Sequence, residues 1–76
     1  MDMPTRTKTV WPKLVTGHTY TFDIYEAGIL IHHGTWRVQD PPSNHSAGAF
    51  RAHIMRWTRL AERRQRHAVI KDVTNA

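Results

Sequence analysis

The sequence predicts an α+β domain: a three-stranded antiparallel β-meander packed on one C-terminal amphipathic α-helix. Three observations carry this expectation. Residues 19–25, Thr-Tyr-Thr-Phe-Asp-Ile-Tyr, alternate strictly between apolar and polar positions, which is the signature of a half-buried strand. Pro41, Pro42, Ser43 and Asn44 then interrupt extended structure. Beyond them, from about 47 to 67, apolar residues recur at helical spacing with arginines on the other side. At 76 residues the chain has room for a single small domain, and a domain of that size buries only ~60–65% of the surface its unfolded form exposes.

Taken in order, residues 1–6 read as a loose N-terminus, 7–39 as the sheet, 40–46 as a Pro-rich loop, 47–67 as the helix and 68–76 as a short strand or tail. Residues 7–15 are β-prone, but Pro12 has no N–H for a ladder, so a strand here is an edge strand or is broken. Thr16-Gly17-His18 reads as a turn. In the strand that follows, Tyr20, Phe22 and Ile24 share one face and Thr19, Thr21, Asp23 and Tyr25 the other. Glu26-Ala27-Gly28 supplies a tight reversal, with Gly28 free to take a positive φ.

The next segment contains a conflict of phase. Ile29 and Ile31 fall on odd positions, Trp36 and Val38 on even ones. A β-bulge at His33-Gly34 would bring all four to the core side, and a turn there is the alternative. Ser43, Asn44 or Ser46 can cap the helix, while Gly48 weakens its first turn. At about 100° per residue, Phe50, Ile54, Trp57, Ala61 and Ala68 project together, and Arg56, Arg59, Arg63 and Arg66 project oppositely. The expected core is Tyr20, Phe22, Ile24, Ile29, Ile31, Trp36, Val38, Phe50, Ile54, Trp57 and Ala61. Val69 to Val73 either form a last short strand or trail off.

Charge points to a partner. Eleven Lys and Arg stand against six Asp and Glu, a formal net charge of +5. Residues 51–66 hold Arg51, Arg56, Arg59, Arg63, Arg64 and Arg66 against Glu62 alone, whereas residues 18–34 hold Asp23 and Glu26 and no Lys or Arg. Guanidinium groups stay charged and make forked hydrogen bonds to phosphate or carboxylate. The expected contact residues are Arg51, Arg56, Arg59, Arg63 and Arg66 on the helix, joined by Lys8, Lys13 and Trp11 near the N-terminus. Trp11 could stack on a base, anchor a protein contact or fold over the sheet edge. The outer sheet face, with Thr19, Thr21, Asp23 and Tyr25 on one strand, Leu30 and His32 expected opposite, and Arg37, is a weaker candidate, because Asp23 and Glu26 would repel phosphate.

Other chemistries find little support. Without cysteine there are no disulfides, thiolate metal sites or cysteine nucleophiles, and a reducing cytoplasm fits that composition. Six histidines occur at 18, 32, 33, 45, 53 and 67, with no i, i+4 pair on the helix and no His-Glu-x-x-His, so no metal or other cofactor is expected. The longest apolar run, Ala27 to Ile31, is too short to span a bilayer, and Met1-Asp2-Met3-Pro4 has no apolar stretch behind it. No Ser-His-Asp order or paired carboxylates stand out.

Part of the chain resembles the end of HicA-type toxins: His32-His33-Gly34, then Ala47-Gly48-Ala49-Phe50-Arg51-Ala52-His53-Ile54. That resemblance implies a small ribonuclease, with His32, His33 and His53 as the residues to test. The toxins open with a helix where this chain opens extended, and residues 36–46 break their spacing; these departures outweigh the shared phrase. In size and element order the chain is also similar to integrase arm-binding domains and to phage-encoded inhibitors, including anti-CRISPR proteins, without a diagnostic motif of either. The reading favoured is a non-enzymatic basic module that contacts nucleic acid, or a complex bearing it, through the Arg-rich helix face. A phage or mobile-element inhibitor or adaptor on an acidic host protein surface comes second. A homodimer through an exposed sheet edge, at residues 7–15 or 69–73, would suit so small a core.

Overall fold

The computed structural model describes residues 9–59 and 65–75. It is the α+β arrangement the sequence predicts: one three-stranded antiparallel sheet and one helix. The elements are β1 (Thr19–Glu26), β2 (Ile29–Arg37), α1 (Ala47–Arg59) and β3 (Arg66–Asp72), with strand order β2-β1-β3. The third strand thus comes from the C-terminal segment, and α1 is the crossover between the two strands flanking β1.

β1 and β2 form a hairpin closed by Ala27 and Gly28, at φ 51° and 86°. Two successive left-handed residues match the twist of the flanking strands. Along β1 the period-2 pattern holds. Tyr20, Phe22 and Ile24 are at most 3% exposed and meet Phe50 and Ile54 of α1, Val38, and Ala68 and Ile70 of β3. Trp11, Leu14, Trp36, Ala47 and Trp57 pack around this core half-buried. Tyr20 also ties the chain's start to the sheet: its hydroxyl donates to Lys13 O at 2.8 Å and accepts Val15 N–H at 2.8 Å.

The irregularity in β2 lies elsewhere than expected. Ile24 pairs with His32 but Tyr25 with Leu30, so Ile31 is the extra residue and Gly34 sits in regular register opposite Phe22. The even phase of Trp36 and Val38 therefore runs back through Gly34 to His32. Ile29 and Ile31, expected in the core, are 68% and 39% exposed. The physical reason is the Phe22 ring, which lies over Gly34 so closely that a β-carbon there would come within 2.4 Å of it. Glycine at this register position leaves the ring its space, and the apolar hairpin end projects past the core.

The helix begins as its cap predicts. Ser46 Oγ accepts Ala49 N–H at 3.2 Å, and Ser46 O accepts Phe50 N–H. Ser43 instead shapes the preceding loop, accepting His45 N–H and donating to Gln39. The expected helical span to 67 is not what forms. Arg66 and His67 belong to β3, which pairs with β1 from Glu26↔Arg66 to Tyr20↔Asp72. Extended pairing of this segment buries Ala68 and Ile70 and satisfies the backbone on the second side of β1, which a longer helix would leave open. Residues 60–64, among them the expected core residue Ala61, lie outside the described residues.

The two edges proposed for self-pairing face each other. Val10 bridges Val69 in parallel, and Thr9 Oγ1 accepts Ala68 N–H at 2.9 Å. β2 is the edge with no described strand beside it. Among the described residues no helix is long and apolar enough to cross a membrane.

Candidate nucleic-acid interface

α1 turns Phe50 and Ile54 into the core and leaves Arg51, Ala52, Met55, Arg56 and Arg59 exposed. The three arginines span ~12 Å of helix axis at 1.5 Å per residue. Met55, 46% exposed, sits between them. Ala52, Met55, Arg56 and Arg59 line a surface depression of about 480 Å³, with an apolar floor and cationic rim. No described carboxylate pairs with Arg51, Arg56 or Arg59.

Trp11 supports this face rather than standing free. It is half-buried, meets Phe50 edge-on at 5.7 Å between ring centroids, and lies beneath the Arg51 guanidinium at 4.9 Å. A cation over an indole face is held there electrostatically, so Trp11 fixes where Arg51 presents its charge. Lys13 is exposed.

Arg66 departs from the expected stripe. From β3 it donates Nε–H to Glu26 Oε1 at 2.8 Å and Nη1–H to Trp57 O at 3.1 Å, and its guanidinium lies 5.8 Å from the Trp57 ring. It links β1, β3 and the end of α1. The reason is register: opposite Glu26 in the ladder, Arg66 finds an acid that a helical position would have kept away. Lys8 and Arg63, both expected contact residues, lie outside the described residues.

The histidines are dispersed, each with a partner. His18 Nδ1 donates to Asp72 Oδ2 at 2.7 Å, and His33 Nδ1 donates to Asp23 Oδ1. Adjacent His32 points to the other side of the sheet and stacks on Trp57 at 4.3 Å. His53 lies between Phe22 and Trp36, 5.4 Å from each ring. Burial, then the neighbouring His32 and Arg56, lower its pKa from the ordinary 6.5. His45 packs on Trp36, and His67 stacks on Tyr25. The three histidines named for an RNA-cutting reading do not converge, since His32 and His53 sit in the seam between α1 and β2 while His33 is on the opposite face of the sheet. Among the described residues no three His, Asp or Glu gather as metal ligands would.

Sequence reasoning misses two features, one on this surface and one elsewhere on the sheet. Met55 was not singled out, although its place between Arg51 and Arg59 at i, i+4 spacing was visible. The pairing of Asp23 with His33, and of Glu26 with Arg66, joins residues from different strands and leaves no local trace in the sequence.

No protein-family model, curated protein or solved structure matches this chain.

Proposed function

We propose that this protein is a small non-enzymatic binding module whose partner is nucleic acid, or a complex that carries it, and that the outer face of α1 makes the contact. One observation carries the reading: Arg51, Arg56 and Arg59 share an exposed helix face on which no described acid answers them. Arginines on a rigid element, one of them braced by Trp11, offer forked donors to successive phosphates at little entropic cost. Such contacts position a protein on a nucleic acid without reading its sequence.

Affinity of this kind is salt-dependent. Each phosphate neutralised on duplex DNA contributes about −0.9 to the slope of log K against log salt, so three contribute about −2.7. A gel-shift series from low to physiological salt should show that steepness with duplex DNA and a shallower slope, about −0.7 per phosphate, with single strands. Arg56→Glu with Arg59→Glu should abolish the duplex shift while leaving the circular dichroism spectrum unchanged. A salt-independent complex, or a double variant that binds like the parent, removes the helix from the account.

Met55 favours a second reading, a mobile-element inhibitor or adaptor docked on an acidic host protein. Methionine and arginine are enriched in protein interfaces, and Met55 is exposed at the centre of the cationic face. For that partner the gel shifts stay empty, and Met55→Ala weakens capture of the host complex as strongly as an arginine reversal does.

A further inference from the structure

The face of the sheet turned away from α1 carries a second arrangement, independent of the helix. Its rows are Thr19 with Arg37, Thr21 with Thr35 and Lys71, Asp23 with His33 and Val69, and Tyr25 with Leu30 and His67. No described element covers it.

Of the two acids that spoke against phosphate here, Glu26 belongs by register to the helix-covered side, and only Asp23 lies on this face, where it sits beneath His33. Asp23 accepts His33 Nδ1–H, and its side chain is only 27% exposed against 60% for His33. Glu26 accepts Arg66 Nε–H, with 27% of its side chain exposed. Arg37 and Lys71 are exposed cations on this face, more exposed than the Asp23 carboxylate, and are set among the hydroxyls of Thr19, Thr21 and Thr35.

At the hairpin end the character changes. Tyr25 and His67 lie nearly parallel, 13° between planes and 5.3 Å between centroids, and Leu30 beside them is 51% exposed. Leu30 reaches this face because the bulge at Ile31 shifts the register. An aromatic pair at one end and cations at the other, ~13 Å away from the Tyr25 row to the Lys71 row at 3.3 Å per residue, suit a polymer that alternates flat rings with negative charge. Unpaired nucleotides do this: bases stack on side-chain rings while the backbone follows the cations. A duplex does not, because its bases are already stacked on one another.

We propose that this open face is a binding site for single-stranded nucleic acid, with Tyr25 and His67 as the stacking platform and Lys71 and Arg37 as backbone contacts. The proposal does not depend on the helix reading.

The test uses the full chain and fluorescein-labelled ten-nucleotide oligo(U) and oligo(dT), a ten-base-pair duplex, and a glutamate decapeptide, followed by anisotropy. Tyr25→Ala should weaken single-strand binding about tenfold, in line with the loss of one stacked base, and Tyr25→Phe should restore it. Lys71→Glu should weaken it further and leave duplex binding unchanged. A triple reversal of Arg51, Arg56 and Arg59 to Glu should spare a single-strand component, which separates this proposal from the helix reading. Stronger binding of oligo(U) than of oligo(dT) would name RNA as the source, the reverse DNA, and either supports the site. Parental single-strand affinity in both Tyr25→Ala and Lys71→Glu overturns the proposal. So does competition by the glutamate peptide as effective as that by the oligonucleotides, which would make the face a plain cation patch.

Discussion

On the helix-covered side of the sheet, Tyr20, Phe22, Ile24, Ala68 and Ile70 are at most 7% exposed, and aromatic rings from α1 and β2 fill the space around Phe22. On the open side the same strands carry hydroxyls, an Asp–His pair, a Tyr–His stack and two exposed cations. One side is determined by volume and the other by pairwise polar contacts. A substitution should therefore have very different consequences on neighbouring residues of one strand.

The sharpest way to break this contrast is at Gly34 and Thr35. Gly34→Val places a side chain against the Phe22 ring, which His32, His53 and Phe50 hold in position. Overpacking of this kind costs ~3 kcal/mol, a large share of the stability of a domain of this size. Thr35→Val, one residue on and facing solvent, should stay within ~0.5 kcal/mol of the parent. Urea denaturation followed by tryptophan fluorescence compares the two, and equal losses would erase the distinction between the sides.

Acidification separates them next. His53 in the α1–β2 seam has a lowered pKa, first from burial and then from His32 and Arg56. Below the ordinary value of 6.5 the unfolded chain takes up that proton more readily than the folded one, so stability rises with pH in this window and falls as pH drops through it. The urea midpoint should decrease from pH 7.5 to 5.5, and His53→Asn should flatten that decrease. A smaller effect belongs to Asp72, at the end of β3. Hydrogen bonds from the Thr74 side chain, then from His18, hold its carboxyl at about 2 against the ordinary 3.8. Its contribution is complete above pH 3.8 and is lost as pH falls through about 2. Asp72→Asn should remove this acid limb and leave the His53 limb in place, as paired urea titrations would reveal.

Much of this architecture is legible in local patterns. β1 could be read because aromatic and β-branched residues alternate with threonines, the hairpin because Gly28 follows directly, and the helix start because Ser46 stands before it. Three features were not legible. Gly34 gives no apolar signal, yet it faces the core because Phe22 occupies the space its side chain would need. Ile29 and Ile31 look like core residues but lie beyond the reach of α1. The arginines up to Arg66 favour helix by propensity, whereas the ladder with β1 that makes residues 66–72 a strand is a contact across forty residues or more. Of the candidate site, Arg51, Arg56 and Arg59 stand on the exposed face where helical spacing puts them, and Arg66 was misplaced for that same reason.

The most direct test of the central claim is a map of amide shifts during titration of the ¹⁵N-labelled protein with a short duplex. If the outer face of α1 makes the contact, the amides of Arg51, Ala52, Met55, Arg56 and Arg59 move together at low salt and return as salt is raised, while those of Thr21 and Thr35 stay fixed. Shifts confined to the sheet, or a spectrum unmoved by saturating duplex, would contradict it.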